Sequence, residues 1–178
     1  MYSCEQKELP EKRFTFEAKF RHFITPYRIG DTLLFIKKNG ETTRIKITGS
    51  DSTFSNTKGW FINKRPHKDI QIYCDNLDYH KTNSTDTTLV LINKYPDNLE
   101  QSCYFAVLNF RGTLDGKTDS FISVFRPEPS KVFSNCFVIK NWALDLGEEP
   151  DQIEYIYVQQ TAGIIAMKTY GGEWWLKR

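Results

Sequence analysis

Alternation of apolar and polar positions runs through most of the chain. Between Arg13 and Ile24 the residues Phe14, Phe16, Ala18, Phe20 and His22 fall on every second position, with Thr15, Glu17, Lys19 and Arg21 between them. A period of two predicts a half-buried strand. After Pro26, the stretch GDTLLFIKKNGETTRIKITGS places Asn39-Gly40 between two β-rich runs. That dipeptide suits a two-residue type I′ turn, because Asn and Gly both tolerate positive φ. Pairing Lys38 with Glu41 then sets Ile36 opposite Thr43, Leu34 opposite Ile45 and Thr32 opposite Ile47, and this face is read as core. The opposite face, with Leu33 and Phe35 across from Lys46 and Arg44, is read as the wetter one.

Further strands are predicted at Gly59–Asn63, Asp69–Cys74, Thr87–Asn93, Ser102–Phe110, Asp119–Phe125 and Lys131–Asp145, each bounded by Gly, Pro, Asn or Asp clusters. Within Ser130–Leu146 the residues Val132, Phe133, Cys136, Phe137 and Lys140 also fit helical spacing after a Ser130 cap. The β-branched and aromatic content favours a strand. The runs Ile153–Gln160, Gly163–Tyr170 and Glu173–Lys177 form a meander whose last turn is Gly171-Gly172. Counting across that turn aligns Thr169 with Trp174 and Met167 with Leu176. Trp174 becomes the anchor beside Met167 and Leu176, with Leu34 and Ile45 as the anchors of the first hairpin, and Trp175 is peripheral beside Lys168. Residues 1–12 are charged, lack periodicity and read as an extended tether. Residues 13–178 read as a single antiparallel all-β domain, either a curved sheet or barrel or a two-sheet sandwich.

Composition agrees with this pattern. The 178 residues include 13 Phe, 9 Tyr and 4 Trp against 2 Met, with 39% hydrophobic positions, the make-up of a β-rich globule. Lys and Arg number 24 against 22 Asp and Glu, and a net charge of +2 supplies little field to hold a nucleic acid. No run approaches the roughly 18 apolar residues of a membrane-spanning helix.

Candidate chemistry is sparse. His67, Asp69, Asp75, Asp78 and His80 are the densest set of metal-ligating types, but their spacing fits no tetrahedral pattern, so they read as turn residues and no metal is assigned. His22, on the apolar face of the first run, reads as a core histidine. Asp145, Glu148, Glu149, Asp151 and Glu154 could supply the carboxylate pair of a glycan hydrolase, yet an acidic surface loop after a strand explains them better. The basic run Lys64 to Lys68 behind Trp60 and Phe61 suggests base stacking and reads instead as a solvated loop. Nucleophile elbow, phosphate loop, dinucleotide fingerprint and paired-cysteine motifs are all absent from the sequence, so neither catalysis nor a cofactor is expected. Cys74, Cys103 and Cys136 fall inside predicted strands, where one disulfide among them is possible and its connectivity is open.

The leader Met1-Tyr2-Ser3-Cys4-Glu5-Gln6-Lys7 sets a small residue and a cysteine before a polar tether, which looks like the end of a bacterial lipoprotein signal with Cys4 as the lipidated residue. The final stretch IEYIYVQQTAGIIAMKTYGGEWWLKR resembles the ending of uncharacterised Bacteroidota cell-envelope lipoproteins. Tyr155, Tyr157, Gly163, Ile164, Ile165, Gly172, Trp174 and Leu176 carry that likeness, together with the early GDTLLFIKKNGE hairpin. The resemblance implies an all-β fold in the periplasm or outer membrane, with the membrane reached through a lipid anchor only, and it supplies no catalytic residue. Asp31-Thr32-Leu33, Asp51-Ser52-Thr53 and Asp86-Thr87-Thr88 look like the O-glycosylation acceptor used in that phylum, at Thr32, Ser52 and Thr87. The expected function is thus non-catalytic binding or structural support in the envelope. A lipocalin-like half-barrel carrier of a hydrophobic ligand is the first alternative and an envelope glycan hydrolase the second.

Overall fold

The computed structural model describes residues 14, 16–55, 67–78, 88–94, 101–114, 120–128, 131–142 and 149–178. The predicted strand Gly59–Asn63 and the candidates Cys4, His80, Thr87, Asp145 and Glu148 lie outside them. The fold is all-β. Eleven antiparallel strands make one curled half-barrel sheet: β1 (Thr32–Lys37), β2 (Thr42–Ser55), β3 (His67–Asn76), β4 (Thr88–Lys94), β5 (Gln101–Val107), β6 (Phe110–Leu114), β7 (Ser120–Glu128), β8 (Lys131–Lys140), β9 (Ile153–Gln159), β10 (Gly163–Thr169) and β11 (Trp174–Lys177). The strand order β6-β5-β4-β3-β2-β1-β11-β10-β9-β8-β7 consists of two meanders joined where β1 meets β11. Curling brings the β6 edge round to the end of β8. Asn141 holds this seam: its side chain accepts from the Arg111 N–H at 3.2 Å and donates to the carbonyls of Asn109 at 3.3 Å and Ile153 at 2.8 Å. The approach is close enough that a Cβ on Gly112 would lie 2.6 Å from Ile139.

The concave face is filled, and the segment before β1 fills it. Where alternation predicts a strand over Arg13–Ile24, the chain forms a four-residue helix, α1 (Ala18–Arg21), followed by turns. Phe16, Phe20, Phe23 and Tyr27 are spaced four, three and four apart, so a helical path puts all four on one side, and each is no more than 6% exposed. They pack onto Phe35, Ile45, Ile92, Phe105, Ile156 and Met167 in the main core. His22, expected on the apolar face, ends the helix exposed to solvent. The Tyr27 hydroxyl accepts the Ile164 N–H at 2.9 Å, and Gly163 leaves room for the ring, since a Cβ there would lie 2.6 Å from it.

Both hairpin registers differ from expectation by one residue, for the same reason. Lys37 N–H bonds to the Glu41 carbonyl and Gly40 N–H to that of Lys37, giving a three-residue loop with Gly40 at φ 87°. This is a turn closed by a left-handed glycine bulge, whereas the two-residue type I′ connection was expected. The added residue sets Leu33 opposite Ile45 and Leu34 opposite Arg44, so Leu33 and Phe35 enter the core while Leu34 is only half-buried. The last hairpin repeats the device, with Thr169 N–H bonding to Glu173 O, Gly172 N–H to Thr169 O, and Gly172 at φ 82°. Met167 therefore faces Trp175 and Ala166 faces Leu176. Trp175 enters the main core and Trp174 is partly buried on the other side of the sheet, the reverse of the expected roles.

The remaining expectations hold with shifted ends. Ser130–Leu146 forms a strand over Lys131–Lys140, and the single run expected at Ser102–Phe110 contains a turn, with Leu108 at φ 53°, between β5 and β6. Cys74, Cys103 and Cys136 are buried, and none of them is in a disulfide. Cys136 lies in a different core cluster from the other two. Cys74 and Cys103 sit on strands separated by β4, about 10 Å at the usual strand spacing, beyond the reach of a disulfide. Among the described residues no helix is long and apolar enough to cross a membrane.

Candidate functional site

A second, smaller core lies on the convex face. There Tyr157 of β9, Ile165 and Ala166 of β10, and Leu176 of β11 turn outward, and Phe125 and Cys136 of the β7–β8 hairpin cover them. Asn135, at φ 55°, interrupts the ladder between the Ile122–Cys136 and Val124–Ser134 pairs. The hairpin beyond it lies over the sheet: Phe125 stacks on Tyr157 with centroids 4.0 Å apart and planes 7° apart, and touches Trp174 at 5.3 Å. Burial, reinforced by the charges of Tyr155 and Glu154, pushes the Tyr157 hydroxyl up to about 12. The β7–β8 hairpin thus stands as a flap over β9, β10 and β11.

Between the tip of this flap and the convex face of β1 and β11 runs an open cleft of about 1380 Å³. Pro127 and Lys131 of the flap form one wall; Ile36, Lys38, Trp174, Leu176 and Arg178 form the other wall and the floor. Its apolar surface comes from Pro127, Ile36 and Trp174, each partly exposed, because Leu176 is only 2% exposed. Its charge is one-sided. The lining includes Lys37, Lys38, Lys131, Lys177 and Arg178 against the single side-chain carboxylate of Glu173. Two of those cations are engaged. Lys37 bonds to Glu173 at 2.8 Å and Glu41 at 3.0 Å; burial opposes its charge, but the two carboxylates outweigh burial and raise its pKa. Lys177 donates to the Ala162 carbonyl at 2.6 Å, and burial lowers its pKa against the pull of Asp31. Lys38, Lys131 and Arg178 have no carboxylate within ion-pair distance among the described residues. Lys168 lies 5.9 Å from the rings of both Tyr155 and Trp174.

The candidates singled out from sequence are scattered. His67 and Asp69 do meet, at 3.3 Å on β3, and burial raises the Asp69 carboxyl while His67 opposes the rise. Asp78 instead forms a two-point bridge to Arg44, with Nη2 to Oδ1 at 2.6 Å and Nε to Oδ2 at 2.9 Å. Among the described residues no three His, Cys, Asp or Glu side chains gather as a metal site. Glu149 and Asp151 are exposed and Glu154 is half-buried on β9. Thr32 and Ser52 are exposed on β1 and β2. Of the sequence anchors, Ile45, Met167 and Leu176 are at most 2% exposed. Sequence reasoning missed the cleft itself: Lys38, Lys131 and Arg178 are far apart along the chain and meet only because the flap overlies the β1–β11 seam. Compared with protein-family models, curated proteins and solved structures, the chain matches none.

Proposed function

We propose that this chain is a lipid-anchored protein of a bacterial cell envelope that binds its ligand, without catalysis, in the convex cleft. The carrying observation is the cleft itself, in which Lys38, Lys131 and Arg178 surround partly exposed Trp174, Ile36 and Pro127 with one side-chain carboxylate, already engaged by Lys37. Cations that have no carboxylate partner among the described residues, gathered around a small apolar floor, recognise anions. The concave face, where a lipocalin-like carrier would hold its ligand, is occupied by Phe16, Phe20, Phe23 and Tyr27. The envelope location and the Cys4 anchor rest on the leader and the C-terminal resemblance.

Two arms of one experiment test this reading. Cells are labelled with a palmitate analogue, with wild type compared against Cys4→Ala. The purified Cys4→Ala protein is then sedimented with washed envelope fragments, with and without Lys38→Glu and Lys131→Glu. Label on wild type only, and sedimentation that the charge reversals abolish, is the expected result. Equal labelling in both proteins removes the anchor. Failure of the Cys4→Ala protein to sediment removes the binding function.

A further inference from the structure

Resting on that reading, we propose that the cleft takes an extended anionic glycan, a saccharide chain bearing carboxylate or phosphate groups. Three observations lead there. The cleft, at about 1380 Å³, exceeds the roughly 300–1,000 Å³ of an ordinary small-molecule pocket and is open to solvent, which suits a ligand larger than a single small molecule. Lys38, Lys131 and Arg178, which have no carboxylate within ion-pair distance among the described residues, stand on opposite walls around Trp174 and Pro127. A sugar ring presents a flat face of C–H bonds to such surfaces, and the electron-rich face of an indole attracts it. Charges on both walls match a ligand that repeats its anions.

The same surface disfavours the other extended anions. A peptide held by strand addition needs an open sheet edge, but β1 and β11 on the floor are paired on both sides, and the edge strand β7 at the wall presents Pro127, which has no N–H to donate. A hydrocarbon chain needs an enclosed apolar tunnel, and here Leu176 is 2% exposed and contributes almost no contact surface. Single-stranded nucleic acid binds through successive aromatic platforms, whereas this lining contains one aromatic residue, Trp174.

The test is calorimetric titration of the full chain with size-matched hexamers: oligogalacturonate, maltohexaose, hexaglutamate and a thymidine hexanucleotide, with a phosphorylated mannopentaose to separate phosphate from carboxylate. Oligogalacturonate or the phosphorylated glycan should bind about ten-fold or more tighter than maltohexaose, and the preference should shrink as salt rises. Lys38→Glu with Arg178→Glu, both exposed positions that leave the core untouched, should remove about ten-fold of that affinity. Trp174→Leu should weaken both anionic glycans, with near-ultraviolet circular dichroism confirming its fold. The proposal is overturned if maltohexaose binds as well as the charged glycans, if hexaglutamate or the hexanucleotide binds tighter, or if the charge reversals change nothing. Sedimentation with envelope fragments that persists while every glycan fails would remove the glycan and leave the binding function standing.

Discussion

Tryptophan neighbours in sequence do different work here. Trp175 is 7% exposed beneath Lys37, whose ammonium lies 4.6 Å from its ring centroid, and it belongs to the main core; Trp174 lies on the convex face against Phe125 and Tyr157. Truncating a buried Trp costs about 3–5 kcal/mol, and a half-buried one much less. Trp175→Ala should therefore lower the urea midpoint far more than Trp174→Ala, and Trp174→Ala should spare the main core. Gly163 is a sharper case. Its φ of 70° and the Tyr27 ring 2.6 Å from the place of a Cβ penalise any side chain twice. Gly163→Ala should cost about 2–4 kcal/mol by chemical denaturation, combining left-handed strain with overpacking. Gly172→Ala, at φ 82° with nothing near its Cβ, should show the strain alone, about 1–2 kcal/mol.

At the scale of elements, the strands were legible because β-branched and aromatic residues cluster between turn residues, and the boundaries of β3, β4, β9 and β10 follow those clusters closely. Register was not. Asn39-Gly40 and Gly171-Gly172 announce turns without saying whether two or three residues close them, and one residue decides which of Leu33 or Leu34, Trp174 or Trp175, goes inside. The opening segment carried two periods at once: Phe14, Phe16, Ala18 and Phe20 alternate, while Phe16, Phe20, Phe23 and Tyr27 follow a helix. The longer pattern prevailed because it buries four large rings. The flap makes a pH prediction. Tyr157 in the folded protein keeps its proton to about 12, and in the unfolded chain it loses it near 10. Between those values folding binds a proton, so its contribution is full below about pH 10 and is lost as pH rises through about 12. Tyr27, raised by complete burial, acts in the same direction. Urea midpoints should fall between about pH 10 and pH 12, and Tyr157→Phe should make that fall shallower. An unchanged slope would mean that the flap does not exclude water from the ring.

For the whole molecule, closure is held at a seam where the Asn141 side chain joins the Trp142 N–H bonded to the Arg111 carbonyl and the Ile153 N–H bonded to Asn109 Oδ1. Asn141 is 4% exposed and ties β6 to β8 and β9 through three side-chain hydrogen bonds. Asn141→Ala should cost about 2–4 kcal/mol by leaving buried backbone groups unpaired, and should speed hydrogen exchange first at Arg111 and Trp142. Nothing in the sequence marked Asn141, since one asparagine among loop residues looks like any other. The cleft was hidden for the same reason, because its charges converge only through the flap. The curl was anticipated as one of two all-β arrangements, which local patterning does not separate. The junction of the two meanders has a consequence in time. Ile36 pairs with Leu176, so the second edge of β1 is covered only by β11, the last of the described strands in sequence. Until β11 pairs, the first meander presents an open strand carrying Leu33, Phe35 and Ile36, a template for pairing with another nascent chain. Completion of the sheet is a long-range event, since β1 and β11 lie at opposite ends of the strand sequence, and non-local pairings of this kind slow folding.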